Sequence, residues 1–506
     1  MSPSTSRGRV VILVDNDVAR DSRVQKQARS MADAGWDVTL LGQTTGKQAR
    51  SWRLGDAKVR LVPTPRLLHR RPGDLRRSRL RDPLAYPVAW LPETRQQAVR
   101  ARQADLRVRR IEAGLAGTSA GGRLGLLASR ALTKGLDRWV GLRAGHTRRL
   151  TDRRVSGDGR LDRLTTAFWQ RALGDDVWRR FDPHLWDWEL AFGPEIDRLR
   201  PDIVHANDFR MLGVGARAAV RAREQGRPFR LVWDAHEFLP GVKPWEENPR
   251  WHLAQMAHER TYARAADAVV TVSDELATLL RETHHLPEQP SVVLNCPSAA
   301  DAQGTPGGPG IREAAGAAAG EPVVVYSGAV SPARGLDVMI EALPALPDVV
   351  CALVVNKPES DYMLQVLGRA RELGVLDRVR VLPYVPFDQV VPFLSSADVG
   401  VIPINHWPNH EIQLITKYFE YAHARLPMVV SDVRVMAETA RSTGQGEVFT
   451  AGDVDSFVGA VRAVLKDPDR YRNAYDDATL REWTWEAQAE VLDGVYTRLM
   501  AGSDPR

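Results

Sequence analysis

The sequence predicts an α/β protein built from two doubly wound domains in tandem. Three observations carry this expectation. The 506 residues are too many for one hydrophobic core. Short apolar runs alternate with amphipathic stretches, the signature of strands joined by crossover helices. The alternation runs twice, and a Gly-, Pro- and Ala-rich segment separates the two series.

The elements follow in order. "RVVILVDNDV" reads as a buried strand, "ARDSRVQKQARSMADAG" as an amphipathic helix closed by Gly35, and "WDVTLLGQ" as the next strand. This is a β-α-β start with a parallel sheet. It lacks G-x-G-x-x-G, so no dinucleotide fingerprint is present. Residues 64 to 182 interrupt the pattern with an Arg-rich, mainly helical insertion. Alternation resumes with the strands "PDIVHAND", "FRLVWDAHE", "DAVVTVS" and "PSVVLNCPS", each separated by a helix. A second series begins at "PVVVYSGAV" and continues through "VVCALVVNK", "VRVLPYV", "DVGVIPI" and "PMVVSD". The predicted organisation is a first domain over 1–300 with its insertion, a linker over 301–321 and a second domain over 322–480. A final helix over 481–506 is predicted to cross back to the first domain.

Composition narrows the class. Hydrophobic residues make up 43% and charged residues 26%, ordinary for a globular protein. The two cysteines, Cys296 and Cys351, sit in apolar runs and read as buried thiols in a reducing compartment. No Cys and His spacing suggests a metal, and none is expected. No apolar run approaches a membrane span or a signal-peptide core, which predicts a cytoplasmic protein. Charge is uneven: residues 64–182 hold 27 Lys and Arg against 12 Asp and Glu, while the whole chain is only +6. Such a segment suits an anionic membrane face, a phosphorylated substrate or nucleic acid, or is a solvated helical surface. It contains no nucleic-acid reading motif, so no nucleic-acid partner is expected. A peripheral position at the inner face of the membrane is the corresponding expectation.

Ligands of doubly wound sheets lie beyond the carboxyl ends of the strands. After "PVVVYSGAV" comes "SPARG", with Arg334 just before a helix, where a guanidinium suits phosphate oxygens. In "ITKYFEYAHARLPMVVSD", Lys417 and Glu420 lie three apart on one helix face. They read either as an i,i+3 ion pair or as a cation for a diphosphate beside a carboxylate for ribose hydroxyls. In the first half, "WDAHEF" places Asp234, His236 and Glu237 at a strand end, and "HANDF" places His205, Asn207 and Asp208 at another. Around the first turn stand Asp15, Asn16, Asp17, Asp21 and Arg23; Asp21 also reads as an N-cap, and Asp208 as a cap of the next helix.

In order and spacing, "DSRVQKQARSMADAGWDVTLLG", "PDIVHAND", "WDAHE", "ADAVVTVSDELA", "YSGAVSPARGLDVMIEAL", "RVRVLPYVPFDQVVPFLSSADVGVIPI" and "KYFEYAHARLPMVVSD" resemble a family-4 glycosyltransferase of GT-B architecture. The resemblance covers about residues 9–60 and 185–500. It implies two Rossmann-like domains facing across a cleft and a nucleoside diphosphate sugar as donor. It also implies retention of configuration and transfer to the hydroxyl of a glycan, lipid-linked glycan or small molecule. It places Glu420 at the nucleotide ribose, Arg334 at the diphosphate, Lys417 at a basic position of a subgroup, and His236 near the donor sugar. Tyr384, Val385 and Gly328 fall on the donor side. Asp21, Arg23, Asp208 and Glu237 fall on the acceptor side. His236, Arg334 and Lys417 carry the catalytic expectation.

Two positions depart from the family pattern. Its earlier glutamate aligns with Ile412, with Glu411 as the neighbour that would replace it. Its first diphosphate arginine aligns with Ala329. Neither a cofactor nor a metal is expected. Rival readings are a non-catalytic nucleotide-sugar-binding subunit and a nucleotide-sugar epimerase of the same fold.

Overall fold

The computed structural model describes residues 6–64, 66–68, 75, 80–116, 119–157, 159–242, 248–304 and 307–502. The chain divides into two compact units. One, of Met1–Thr64, Trp188–Val242 and Glu259–Arg506, holds both sheets. The other, of Pro65–Asp187 and Lys243–His258, is helical.

The first sheet has eight strands: β1 Arg9–Leu13, β2 Asp37–Thr44, β3 Arg50–Leu54, β4 Ala57–Pro63, β5 Ile203–Asn207, β6 Arg230–Ala235, β7 Ala268–Thr271 and β8 Ser291–Val292. Their order is β3-β4-β2-β1-β5-β6-β7-β8, and all pairs are parallel except β3 with β4. The central strands read Val-Ile-Leu because both faces are covered: Val10 to Leu13 and Ile203 to Asn207 are buried throughout. β3 is the exception in composition as well. Its residues are mostly exposed, as an edge strand allows.

The second sheet has six strands: β9 Val323–Gly328, β10 Val350–Val355, β11 Val379–Pro383, β12 Val399–Ile402, β13 Met428–Ser431 and β14 Gly446–Phe449. All run parallel in the order β11-β10-β9-β12-β13-β14. The order reverses between β9 and β12, so the crevice for a ligand lies where those two strands end. In the first sheet the equivalent reversal lies between β1 and β5.

The segment between the sheets carries two short helices, Ala299–Gln303 and Ile311–Ala314, the first held by a capping box of Ser298 and Asp301. The last helix, Trp485–Ala501, seats on the first sheet although it follows the second. Tyr496 is fully buried there, edge-on to Trp36, and its hydroxyl lies 2.7 Å from His205 Nδ1. Trp36 Nε1 and Arg7 both donate to Asp493. Cys296 and Cys351 are buried free thiols.

In the helical unit the main helices are Leu91–Ala116, Ala120–Ser156 and Arg160–Leu173. Val99, Val140, Leu150 and Trp178 are buried. Trp178 packs on Trp186 and on the His258 ring.

Candidate functional site

The strand ends of the first sheet form a charge network centred on Asp234, which is fully buried. Arg23, in the first turn of helix Ser22–Asp33, donates from Nε and Nη2 to the two carboxylate oxygens at 3.0 Å each. Its Nη1 donates to the Val293 carbonyl. Gln27 donates to the same carboxylate from the next turn. His236 Nε2 lies 3.0 Å from Asp234 Oδ1, and its Nδ1 lies 3.5 Å from Asp208 Oδ1. Burial would raise the Asp234 carboxyl, but Arg23 and His236 outweigh it and hold it well below the usual carboxylate range. Burial would lower His236, yet the charges of Asp234 and Asp208 outweigh it and push the imidazole up to about 9. Asp208 itself is pushed up to about 7, chiefly by burial, with Asp15 and Glu237 adding repulsion.

Asp208 opens helix Asp208–Glu224 with a φ of 59°, a left-handed turn that non-glycine residues seldom adopt. The turn sets its carboxylate over His236. Together with Glu237, Ala235, Phe209 and Trp233 these side chains line a small recess at the ends of β5 and β6. Asp15 is held by Arg210 at 2.6 Å. Asp21 caps helix Ser22–Asp33, accepting from the Val24 amide and from the Asn16 side chain. Arg23 and Asp21 are therefore both taken up by bonds inside the first lobe.

In the second sheet, Arg334 ends the turn Pro332–Arg334 after β9. Gly335 follows with φ 66°, and a Cβ there would stand 2.0 Å from the Pro403 carbonyl oxygen. Only glycine lets the turn approach the loop after β12 so closely. Asn405 locks the two loops together through Ala333 and Pro332. The Arg334 guanidinium is half-buried and has no hydrogen-bond or ion-pair partner among the described residues.

Helix Thr416–His423 buries Tyr418, Phe419, Glu420, Tyr421 and Ala422, and Lys417 stands three residues before Glu420 on the same side. Lys417 Nζ donates to Glu420 Oε2 at 2.9 Å and lies over the Tyr384 ring at 5.9 Å. Burial would lower the Lys417 amine, but Glu420 and Tyr384 reverse this and raise it. Burial raises the Tyr384 phenol; the charges of Lys417, Glu420 and Arg334 also reach it, so these four groups share one neighbourhood. The charge of Arg334 also reaches Glu237, whose carboxyl burial pushes up. The two sets of strand ends therefore face one another.

Direct bonds join the two lobes around this cleft. Trp407 Nε1 donates to the Gly241 carbonyl at 2.7 Å, Ser273 Oγ to the Ile412 carbonyl at 2.5 Å, and Asn295 Nδ2 to Thr416 Oγ1 at 3.1 Å. Both carboxylate oxygens of Glu411 are engaged within the second lobe. One oxygen contacts His406 Nδ1 at 2.6 Å, and the other accepts from the Arg434 amide that starts helix Arg434–Thr443. Val385 is partly buried against the apolar core of the second lobe, and the Tyr326 hydroxyl would stand 2.7 Å from a Cβ on Gly328.

Lys26 is a residue the sequence did not single out. Its Nζ contacts Asn295 Oδ1 and the Cys296 carbonyl, and it stacks over Trp485. Burial pushes its amine down to about 8, and the charge of Glu420 reaches it from the second lobe. Among the described residues, no group of three or more His, Cys, Asp or Glu side chains is placed to hold a metal ion.

With this geometry in hand, comparison with known proteins is specific. The family described as Glycosyltransferase Family 4 matches residues 146–297, and that described as Glycosyl transferases group 1 matches residues 309–481. A D-inositol 3-phosphate glycosyltransferase of Geodermatophilus obscurus is 26% identical over 55% of this chain and 69% of its own length. A GDP-mannose-dependent alpha-(1-6)-phosphatidylinositol monomannoside mannosyltransferase of Mycolicibacterium smegmatis is 29% identical over 34% of this chain and 48% of its own length. Among solved structures, the sucrose-phosphate synthase of Thermosynechococcus elongatus superposes with a TM-score of 0.62 at 15% identity, covering 98% of this chain and 100% of that one. An alpha,alpha-trehalose 6-phosphate synthase of Burkholderia multivorans gives 0.57 at 13%, covering 98% and 99%. At such identities the likeness is one of fold: the two-lobed GT-B architecture.

Proposed function

Starting from a chain that belongs to glycosyltransferase family 4, we propose that this enzyme moves a sugar from a nucleoside diphosphate sugar to an acceptor hydroxyl with retention of configuration. The observation that carries the donor reading is Arg334. It is a half-buried cation with no hydrogen-bond or ion-pair partner among the described residues, set beside Lys417, Glu420 and Tyr384 at the strand-order reversal of the second sheet. Negative charge builds on the departing diphosphate, and a fixed guanidinium stabilises it without reorganising. Lys417 adds a second cation when the ligand competes for it, and Glu420 accepts from ribose hydroxyls. The new bond joins the anomeric carbon to the acceptor oxygen on the face the diphosphate leaves. The acceptor proton passes to a diphosphate oxygen. His236, held protonated up to about pH 9 between Asp234 and Asp208, gives the first-lobe side of the cleft a fixed positive charge and does not act as a base.

The acceptor side supports a narrower reading. Arg23, Arg210 and His236 are each already held by a carboxylate, while Asp208 and Glu237 line the recess. This suits hydroxyl groups that donate to carboxylates. An acceptor phosphate, as the name of the inositol 3-phosphate relatives suggests for them, would meet repulsion there. We therefore propose an acceptor that presents hydroxyl groups to this bank, on a glycan, a lipid-linked glycan or a small molecule.

A thermal-shift panel tests the donor reading, since a ligand of the folded form raises apparent stability. Nucleoside diphosphates and one nucleotide sugar should raise the midpoint, and Arg334→Ala should abolish the increment that the β-phosphate adds over the monophosphate. Equal shifts in the variant would defeat the proposal.

A further inference from the structure

The helical unit turns rows of apolar side chains to solvent, each at helical spacing. Helix Leu91–Ala116 carries Val108, Ile111 and Leu115 at i, i+3 and i+7. Helix Ala120–Ser156 carries Leu124 and Leu127. Helix Arg160–Leu173 carries Leu161, Leu164 and Phe168, again at i, i+3 and i+7. Every one of these is more than half exposed. The buried positions of the same helices are different ones: Val99, Val140 and Thr166. The rows are thus distinct from the faces that hold the unit together. Single exposed apolar residues are ordinary, but rows on three successive helices mark a contact surface.

The first two helices pack against one another. Their apolar rows lie at the ends adjoining the short connection between them, 108–115 on one and 124–127 on the other. A Cβ built at Gly114, Gly121 or Gly125 would meet nothing within 4 Å, so this end stands open. The charge on both helices is net positive. The first helix has six Arg against three acidic residues, and the second has nine Lys and Arg against two Asp.

We infer that this end of the helical unit docks on an anionic lipid bilayer. Apolar rows flanked by arginines are what an interfacial helix needs. The rows enter the boundary between headgroups and acyl chains, and the guanidinium groups meet lipid phosphates. Among the described residues no helix is long and apolar enough to cross a membrane, so the helices lie on the surface. A second copy of the chain would bring like charge against like charge. A nucleic acid would satisfy the arginines and leave the apolar rows in water. The surface is independent of the donor site, so either reading can fail alone.

The test uses the full chain and vesicles of phosphatidylcholine alone or with phosphatidylglycerol, sedimented at low and at high salt. Binding should appear only on the anionic vesicles and weaken with salt. The quadruple variant Ile111→Ser, Leu115→Ser, Leu124→Ser, Leu127→Ser keeps every charge and alters only exposed positions. It should bind at least about tenfold less while its circular dichroism and melting midpoint stay unchanged. A chain that leaves both vesicle types untouched overturns the inference. So does a variant that binds as the parent does, or a self-association that the variant abolishes without any vesicle binding. Tighter binding to duplex nucleic acid than to the anionic vesicles at the same salt would also overturn it.

Discussion

The two banks of the cleft handle charge in opposite ways. On the first-lobe bank, Arg23 is locked to Asp234, Arg210 to Asp15, and His236 between Asp234 and Asp208. Each cation is neutralised by the protein itself. On the second-lobe bank, Arg334 has no ion-pair partner among the described residues and Lys417 answers the single buried carboxylate of Glu420. A charge that is already paired organises a surface; an unpaired one is available to a ligand. The contrast separates scaffold from chemistry more sharply than residue type does, since arginines stand on both banks.

The largest effect should come from breaking the paired bank. Asp234→Asn leaves Arg23 buried without its counter-charge and should destabilise the fold by about 3–5 kcal/mol, read by urea unfolding. The same test at Arg334 should show the reverse profile. Arg334→Ala should leave the melting midpoint unchanged and lower kcat/KM by about a hundredfold or more with the verified donor. Strong destabilisation by Arg334→Ala would erase the contrast.

The pH dependence sharpens it further. His236 is raised from an unfolded value near 6.5 to about 9. Its contribution is fully present below about pH 6.5 and is lost as the pH rises through 9. The melting midpoint should therefore fall along that limb, and His236→Gln should flatten it. Asp208 works in the same direction in a lower window: its carboxyl is raised from about 4 to about 7, so stability is lost as the pH climbs across that range. Asp208→Asn should remove that slope. The smallest effect belongs to Asp21→Ala, which deletes a helix N-cap worth about 1 kcal/mol and should shift the midpoint slightly with no change in donor affinity.

Much of the fold could be read directly, because buried parallel strands announce themselves as runs such as Val323–Gly328 and Val350–Val355. β3 escaped notice because Arg50–Leu54 is mostly exposed and lacks an apolar face. At the site, Arg334, Lys417 and Glu420 were legible as residues flanking strand ends, and Lys417 with Glu420 forms the i,i+3 ion pair that was one of two readings. Lys26 was not legible. Its partners Asn295, Cys296 and Trp485 lie hundreds of residues away, and nothing local distinguishes it from a surface lysine. Glu411 shows a similar limit. The resemblance placed it beside the aligned position Ile412, and its bond to the Arg434 amide at the start of helix Arg434–Thr443 could not be read from the sequence.

The seating of helix Trp485–Ala501 on the first sheet has a consequence for how the chain matures. Trp36, His205 and Arg7 wait for partners encoded near the far terminus. During synthesis the first lobe remains unfinished until the ribosome has made the second lobe and the helix that follows it, and its apolar flank stays open throughout that interval. A nascent chain of this enzyme should therefore depend on chaperones longer than its early, strand-rich beginning would suggest.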